Sequence, residues 1–139
     1  MSDSTSVRTP RIGSVDGWPR ILLRLEGAAL ALVAILLYVK LGAPWWLFAA
    51  LILVPDLSLI GYAAGARIGA IAYNAMHVTV LPFGLAVAGF LLPQFDLLSV
   101  AMIWVAHIGI DRALGFGLKY GAGASFTHLG RIGGAMGGS

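Results

Sequence analysis

The chain reads as an all-α, polytopic membrane protein: a compact bundle of four transmembrane helices with both termini in the cytoplasm. Three observations predict this. Of the 139 residues, 59% are hydrophobic and only 11% charged, with a mean hydropathy of +0.90, whereas roughly a quarter of a soluble domain is charged. The apolar residues fall into four stretches, each near the ~20 residues that cross a ~30 Å hydrocarbon core. The basic residues are distributed to one side. In a four-span bundle Arg8, Arg11, Arg20, Arg24, Arg67, Arg112, Lys119 and Arg131 stand at or just inside one face, and only Lys40 stands at the other. Loops rich in Arg and Lys stay in the cytoplasm, which sets the orientation.

Taken in order, residues 1–19 are polar and rich in Ser, Thr, Gly and Pro, and are expected to form a disordered cytoplasmic tail. The apolar stretch that follows is too long for a signal peptide and opens with Arg24 and Glu26. The transmembrane domain is expected over residues 20–120. Its first span, 21–40, ends at the turn Leu41-Gly42-Ala43-Pro44. Trp45-Trp46 opens the second span, 45–62, at the interface where indole rings reside, and this span contains Pro55-Asp56. The third span, 68–92, carries Tyr73-Asn74-Ala75-Met76-His77 and a kink expected at Pro82. Pro93-Gln94-Phe95-Asp96 turns the chain into the fourth span, 97–118. Residues 121–139 form a glycine-rich cytoplasmic tail with one less random piece, Thr127-His128-Leu129-Gly130-Arg131.

The same composition excludes several functions. Without cysteine there is no disulfide framework, thiolate metal site or cysteine nucleophile. A net charge of +3 and a pI near 9.7 do not indicate a nucleic-acid partner, because the basic residues punctuate apolar segments and form no continuous patch. Nucleotide-binding glycine loops and serine nucleophile elbows are absent from the sequence. The partner the sequence does specify is the lipid bilayer, and the expected location is a bacterial inner membrane.

Against this apolar background the ionisable residues inside the spans carry the functional signal. His107 and Asp111 are four apart, so one helix stacks them on a single face. Glu26 and Asp56 lie fifteen residues either side of the first outer turn, and His77 and His107 fifteen either side of the second. At 1.5 Å per residue, all four are roughly 20 Å from those turns, in the cytoplasmic half of the bilayer. Asp111 and Tyr73 sit about one turn nearer the cytoplasm, with Asn74 on an adjoining face. Charged groups in hydrocarbon are costly and normally face one another or a water-filled cavity. The candidate site is therefore Glu26, Asp56, Tyr73, Asn74, His77, His107 and Asp111, with His128 placed to fold back over its mouth. Asp56, His77, His107 and Asp111 are the candidate ligands of a divalent metal such as zinc.

Several pieces together resemble a bacterial membrane-protein family, domain-of-unknown-function family 4260: LLRLEG at Leu22–Gly27, PDLSLIGY at Pro55–Tyr62, YNAMH at Tyr73–His77, AHIGIDRALGFGLKY at Ala106–Tyr120 and THLGRIG at Thr127–Gly133. That resemblance supports the fold and the weight of these segments and implies no reaction. A fainter likeness is to membrane-bound metal-dependent hydrolases, which combine an early Asp, a mid-chain His and a later His-x-x-x-Asp-like element. Asp56, His77, His107 and Asp111 follow that order, but the second early aspartate and the His-Ser pair of those enzymes are missing.

Three function classes fit these residues. A metal-dependent membrane hydrolase acting on a lipid or other amphiphile accounts for the most of them. A non-enzymatic subunit or small transporter would use the cluster as a proton relay, and a bis-histidine haem module would use His77 and His107 as axial ligands. The topology has a direct test. Reporter fusions after residue 15 and after Ser139 should report the cytoplasm, and fusions at Gly42 and Gln94 the opposite side. A periplasmic C-terminus would overturn the common-depth argument.

Overall fold

The computed structural model describes Val15, residues 17–119 and the short strands Phe126–Thr127 and Gly130–Arg131, which pair antiparallel with Phe126 opposite Arg131. Most of the two expected tails, and His128, lie outside the described residues. The rest is helical: α1 (Trp18–Leu41), α2 (Trp45–Leu51), a 3-10 helix (Val54–Ala64), α3 (Ala66–His77), α4 (Val80–Leu91) and α5 (Phe95–Leu114). They form four segments long and apolar enough to cross a membrane: α1, Trp45–Ala64, Ala66–Leu91 and α5. This is a multi-pass membrane protein.

α5 is the axis of the bundle, and a continuous run of its residues from Val105 to Gly109 is buried. α1 and α4 pack along it, α2 touches it, and α3 packs against the 3-10 helix. The α1–α5 crossing is close because both helices present glycine. A Cβ placed on Gly109 would stand 2.6 Å from the Ala31 nitrogen and 2.7 Å from the Gly27 carbonyl oxygen; one on Gly27 would stand 2.6 Å from Arg112 Cβ. Large apolar side chains such as Leu32, Leu36, Phe90 and Leu91 point outward, while Ala31, Ala34, Ala101 and Ala106 fill the interior. That distribution suits lipid, where helices gain nothing by hiding apolar surface and associate through close contact of small residues. At the outer turn, the buried Tyr38 donates its hydroxyl to the Pro44 carbonyl at 2.8 Å and packs with Trp45 and Phe48.

Helix breaks and ends depart from the sequence expectations in three places. The second span is not one helix. Pro55 has no N–H for the Leu51 carbonyl and its ring crowds that carbonyl, so α2 ends at Leu51 and the chain resumes as a 3-10 helix. The bend assigned to Pro82 lies four residues upstream for the same reason, α3 ending at His77 with Val78 as its cap. The fourth helix stops at Leu114, not residue 118. Gly115 adopts φ 95°, and the Gly115 and Phe116 N–H groups bond back to the carbonyls of Arg112 (3.0 Å) and Asp111 (2.7 Å), a Schellman stop.

The glycine contact yields a stability prediction. Gly109→Ala should destabilise the bundle by about 1–3 kcal/mol, because the added methyl meets backbone that cannot yield. Gly84→Ala, where nothing lies within 4 Å, should be neutral or stabilise by up to about 1 kcal/mol through reduced chain entropy. Thermal unfolding of the two variants in detergent separates these outcomes.

Candidate metal centre

The two proline breaks and α5 bring four side chains to one point. Asp56 follows Pro55 in the first turn of the 3-10 helix, and His77 is the last residue of α3. His107 and Asp111 come from successive turns of α5. Gly109 lies between them in sequence and, at 100° per residue, faces the opposite way. Because Gly109 is pressed against α1, His107 and Asp111 are turned toward α3 and the 3-10 helix.

One atom from each of the four residues, two imidazole nitrogens and two carboxylate oxygens, lies within 4.8 Å of all the others. His77 Nε2 is 3.1 Å from His107 Nε2. Asp56 Oδ1 is 3.6 Å from His77 Nε2 and 3.4 Å from His107 Nε2. Asp111 Oδ2 is 3.3 and 3.5 Å from the same two nitrogens. A tetrahedral zinc ion with bonds of about 2.1 Å has ligand–ligand edges of about 3.4 Å. Five of the six edges of this cluster match that spacing.

The hydrogen bonds around the cluster orient its lone pairs inward. His77 Nδ1 is 2.8 Å from the Tyr73 carbonyl, which can only accept, so Nδ1 carries the proton and Nε2 of the neutral ring presents a lone pair. Such a bond to the remote nitrogen is what fixes a metal-binding histidine in register. Two aspartate oxygens and the His77 lone pair then converge, and a single imidazole proton cannot satisfy all three. A divalent cation can, and with two carboxylates it makes the centre neutral, the least costly state in hydrocarbon.

A second layer holds this arrangement. The Tyr73 ring stacks on His77 with centroids 3.7 Å apart and planes 11° from parallel, and its hydroxyl donates to Asp111 Oδ2 at 3.4 Å. Lys119 Nζ lies over the Tyr73 ring, 4.4 Å from its centroid. Asn74 secures the Lys119 backbone with two bonds, donating to its carbonyl at 2.7 Å and accepting from its N–H at 2.6 Å. Burial pushes the Lys119 ammonium below its ordinary pKa, while Asp111 and Asp56 pull it back up. The four side chains differ in access: those of His77 and His107 are 3% and 5% exposed, Asp111 17% and Asp56 38%. The centre opens on the Asp56 side.

The candidates named from the sequence are therefore distributed unequally. Asp56, His77, His107 and Asp111 meet, Tyr73 supports them, and Asn74 acts one step further out through the Lys119 backbone. Glu26 is not among them: it is exposed on α1 and lines a separate cavity with Arg112. α1 packs on the Gly109 face of α5, with Gly27 beside Arg112, so Glu26 stands level with Arg112, more than a turn from His107, and turns away from the four converging side chains. Among the described residues Asp111 pairs with the two histidines and not with Arg112. His128 lies outside the described residues. Trp104 was not anticipated. Its indole N–H caps the Met76 carbonyl at 2.6 Å, and in sequence it looks like any other apolar residue of the span.

No curated protein and no solved structure matches this chain. The model of one family, described as a domain of unknown function (DUF4260), matches residues 20–132, a stretch that contains all four convergent side chains and the glycine crossing that aims two of them. The chain belongs to that family of domains of unknown function, DUF4260.

Proposed function

We propose that the protein holds one divalent cation, zinc or an ion of similar preference, within the membrane and uses it to hydrolyse a lipid or other amphiphile. One observation carries the reading: two imidazole nitrogens and two carboxylate oxygens from three separate segments converge, five of their six edges measuring 3.1–3.6 Å. His77, His107 and Asp111 are the firmly held ligands, each with a further hydrogen bond or deep burial. Asp56 is the most exposed of the four, and its only partners among the described residues are the two histidines. It is the ligand that water would displace on the side from which substrate approaches, and a carboxylate freed from the ion would orient or deprotonate that water. A bound divalent ion would supply Lewis acidity and a hydroxide nucleophile near neutral pH. Lys119 supplies positive charge beside the two aspartates, where negative charge develops on a substrate oxygen. With the orientation expected from the basic residues, this chemistry belongs to the cytoplasmic leaflet.

The same geometry weighs against a haem. Axial histidines stand on opposite faces of a macrocycle, whereas here the two nitrogens are 3.1 Å apart and both carboxylates occupy the space around them.

The test is metal analysis of the full chain purified in a neutral detergent and loaded with zinc. Wild type should hold one ion per chain, and His77→Ala, His107→Ala and Asp111→Asn should each lose it while still inserting. Tyr73→Phe should weaken binding by about 10-fold or more without abolishing it, as loss of a supporting hydrogen bond does. Asp56→Asn should retain most of the metal and lose metal-dependent hydrolysis of a fluorogenic medium-chain ester or phosphodiester in mixed micelles. Wild-type protein that takes up no divalent ion would overturn the reading.

A further inference from the structure

A second polar site lies on the other flank of α5. A cavity of about 270 Å³ is lined by Leu23, Glu26, Gly27 and Leu30 of α1, Thr79 and Phe83 around the start of α4, and Arg112 of α5. Its polar side chains are Glu26, Thr79 and Arg112. None of the three makes a side-chain hydrogen bond or ion pair among the described residues, and Thr79 precedes α4 without capping it. Opposite charges that face one cavity in an apolar bundle ordinarily close on each other, because each is costly alone. Here the α1–α5 contact fixes their backbones: Arg112 Cβ is held against Gly27, beside Glu26. The remaining walls, Leu23, Leu30 and Phe83, are apolar.

We propose that this cavity binds the head group of a zwitterionic amphiphile, with the phosphate on Arg112, the ammonium on Glu26 and the chain emerging past Leu23, Leu30 and Phe83 into the lipid. Charge complementarity carries the assignment. A guanidinium and a carboxylate held apart match a group that carries both signs at a short separation, and Thr79 adds a hydrogen bond to the phosphate. The volume lies just below the range of sites for drug-sized ligands, so it admits a head group and not a whole lipid. Arg112 stands two residues before the end of α5. The cavity also adjoins the metal centre along the chain, since Arg112 follows Asp111 and Thr79 stands two residues after His77. None of the four converging side chains lines this cavity, and their cluster opens on the Asp56 side, so the inference concerns a lipid-binding site separate from the proposed hydrolase. Binding itself needs no metal.

The experiment titrates the full chain in dodecyl maltoside with three lauroyl lysolipids and follows thermal stabilisation, with metal content measured in parallel. Lysophosphatidylethanolamine carries both charges, lysophosphatidylglycerol only the phosphate, and monolauroylglycerol neither. Wild type should bind the first about tenfold more tightly than the second, and the third least, each lost charge-assisted hydrogen bond accounting for about a factor of ten. Arg112→Gln should weaken both phospholipids by about tenfold. Glu26→Gln, on an exposed side chain that places no demand on folding, should weaken only the ethanolamine lipid, bringing it level with the glycerol one. Equal affinity for all three lipids, or an unchanged preference in Glu26→Gln, overturns the proposal and leaves Arg112 as a cation reaching for lipid phosphate in general. A chain that takes up no metal yet keeps the preference removes the hydrolase reading alone. A chain that takes up metal but shows no preference removes this inference alone.

Discussion

The near contact of two backbones, α1 and α5 at Gly27 and Gly109, is the constraint on which the rest of the structure depends. In lipid the apolar exterior cannot define how a helix is rotated, because every face is acceptable to the solvent. A glycine pressed into a neighbouring backbone can, since only that rotation permits the approach. Once Gly109 is committed to α1, residues two positions away on either side must look the opposite way. His107 and Asp111 are those residues. Their direction is thus fixed by a residue with no side chain.

What they meet is fixed by two prolines. α2 ends four residues before Pro55 and α3 five before Pro82, and each break leaves carbonyls without an intrahelical donor, which would be untenable facing hydrocarbon and is acceptable beside polar side chains. The Met76 carbonyl lies at the second break and receives the Trp104 indole N–H. The breaks therefore serve two ends. They deliver Asp56 and His77 to the interior, and the second provides the acceptor that locks α3 to α5.

Much of this was legible in the sequence, and the limits have a physical origin. Hydropathy gives the four crossings, because length and apolarity alone decide what can span. The i, i+4 relation of His107 and Asp111 follows from helical periodicity, and counting from the turns brings Asp56 and His77 to the same depth. Depth is only one coordinate. The angle around each helix axis decides whether level residues meet, and that depends on which neighbour each helix chooses. Counting assumed that α1 closes against the site, whereas α1 packs on the opposite face of α5, and Glu26 stands beside Arg112 in a separate cavity. The Asn74–Lys119 clamp was equally hidden. It requires the chain to turn back after Gly115, and the periodicity of an apolar run carries no information about where it turns.

The order of the four converging side chains along the chain has a consequence for biogenesis. Asp56 and His77 belong to the second and third crossings, while His107 and Asp111 come from the last, and the Lys119 clamp follows later still. During synthesis the earlier crossings must enter the bilayer with a carboxylate and an imidazole that have no permanent partners. The centre can be completed only when the fourth crossing has joined them and slotted its glycine against the first. Until then, water or the insertion machinery must shield those two groups. The interval before α5 arrives is thus the most vulnerable stage in the life of this protein, and a nascent chain stalled there would expose its least lipid-compatible residues.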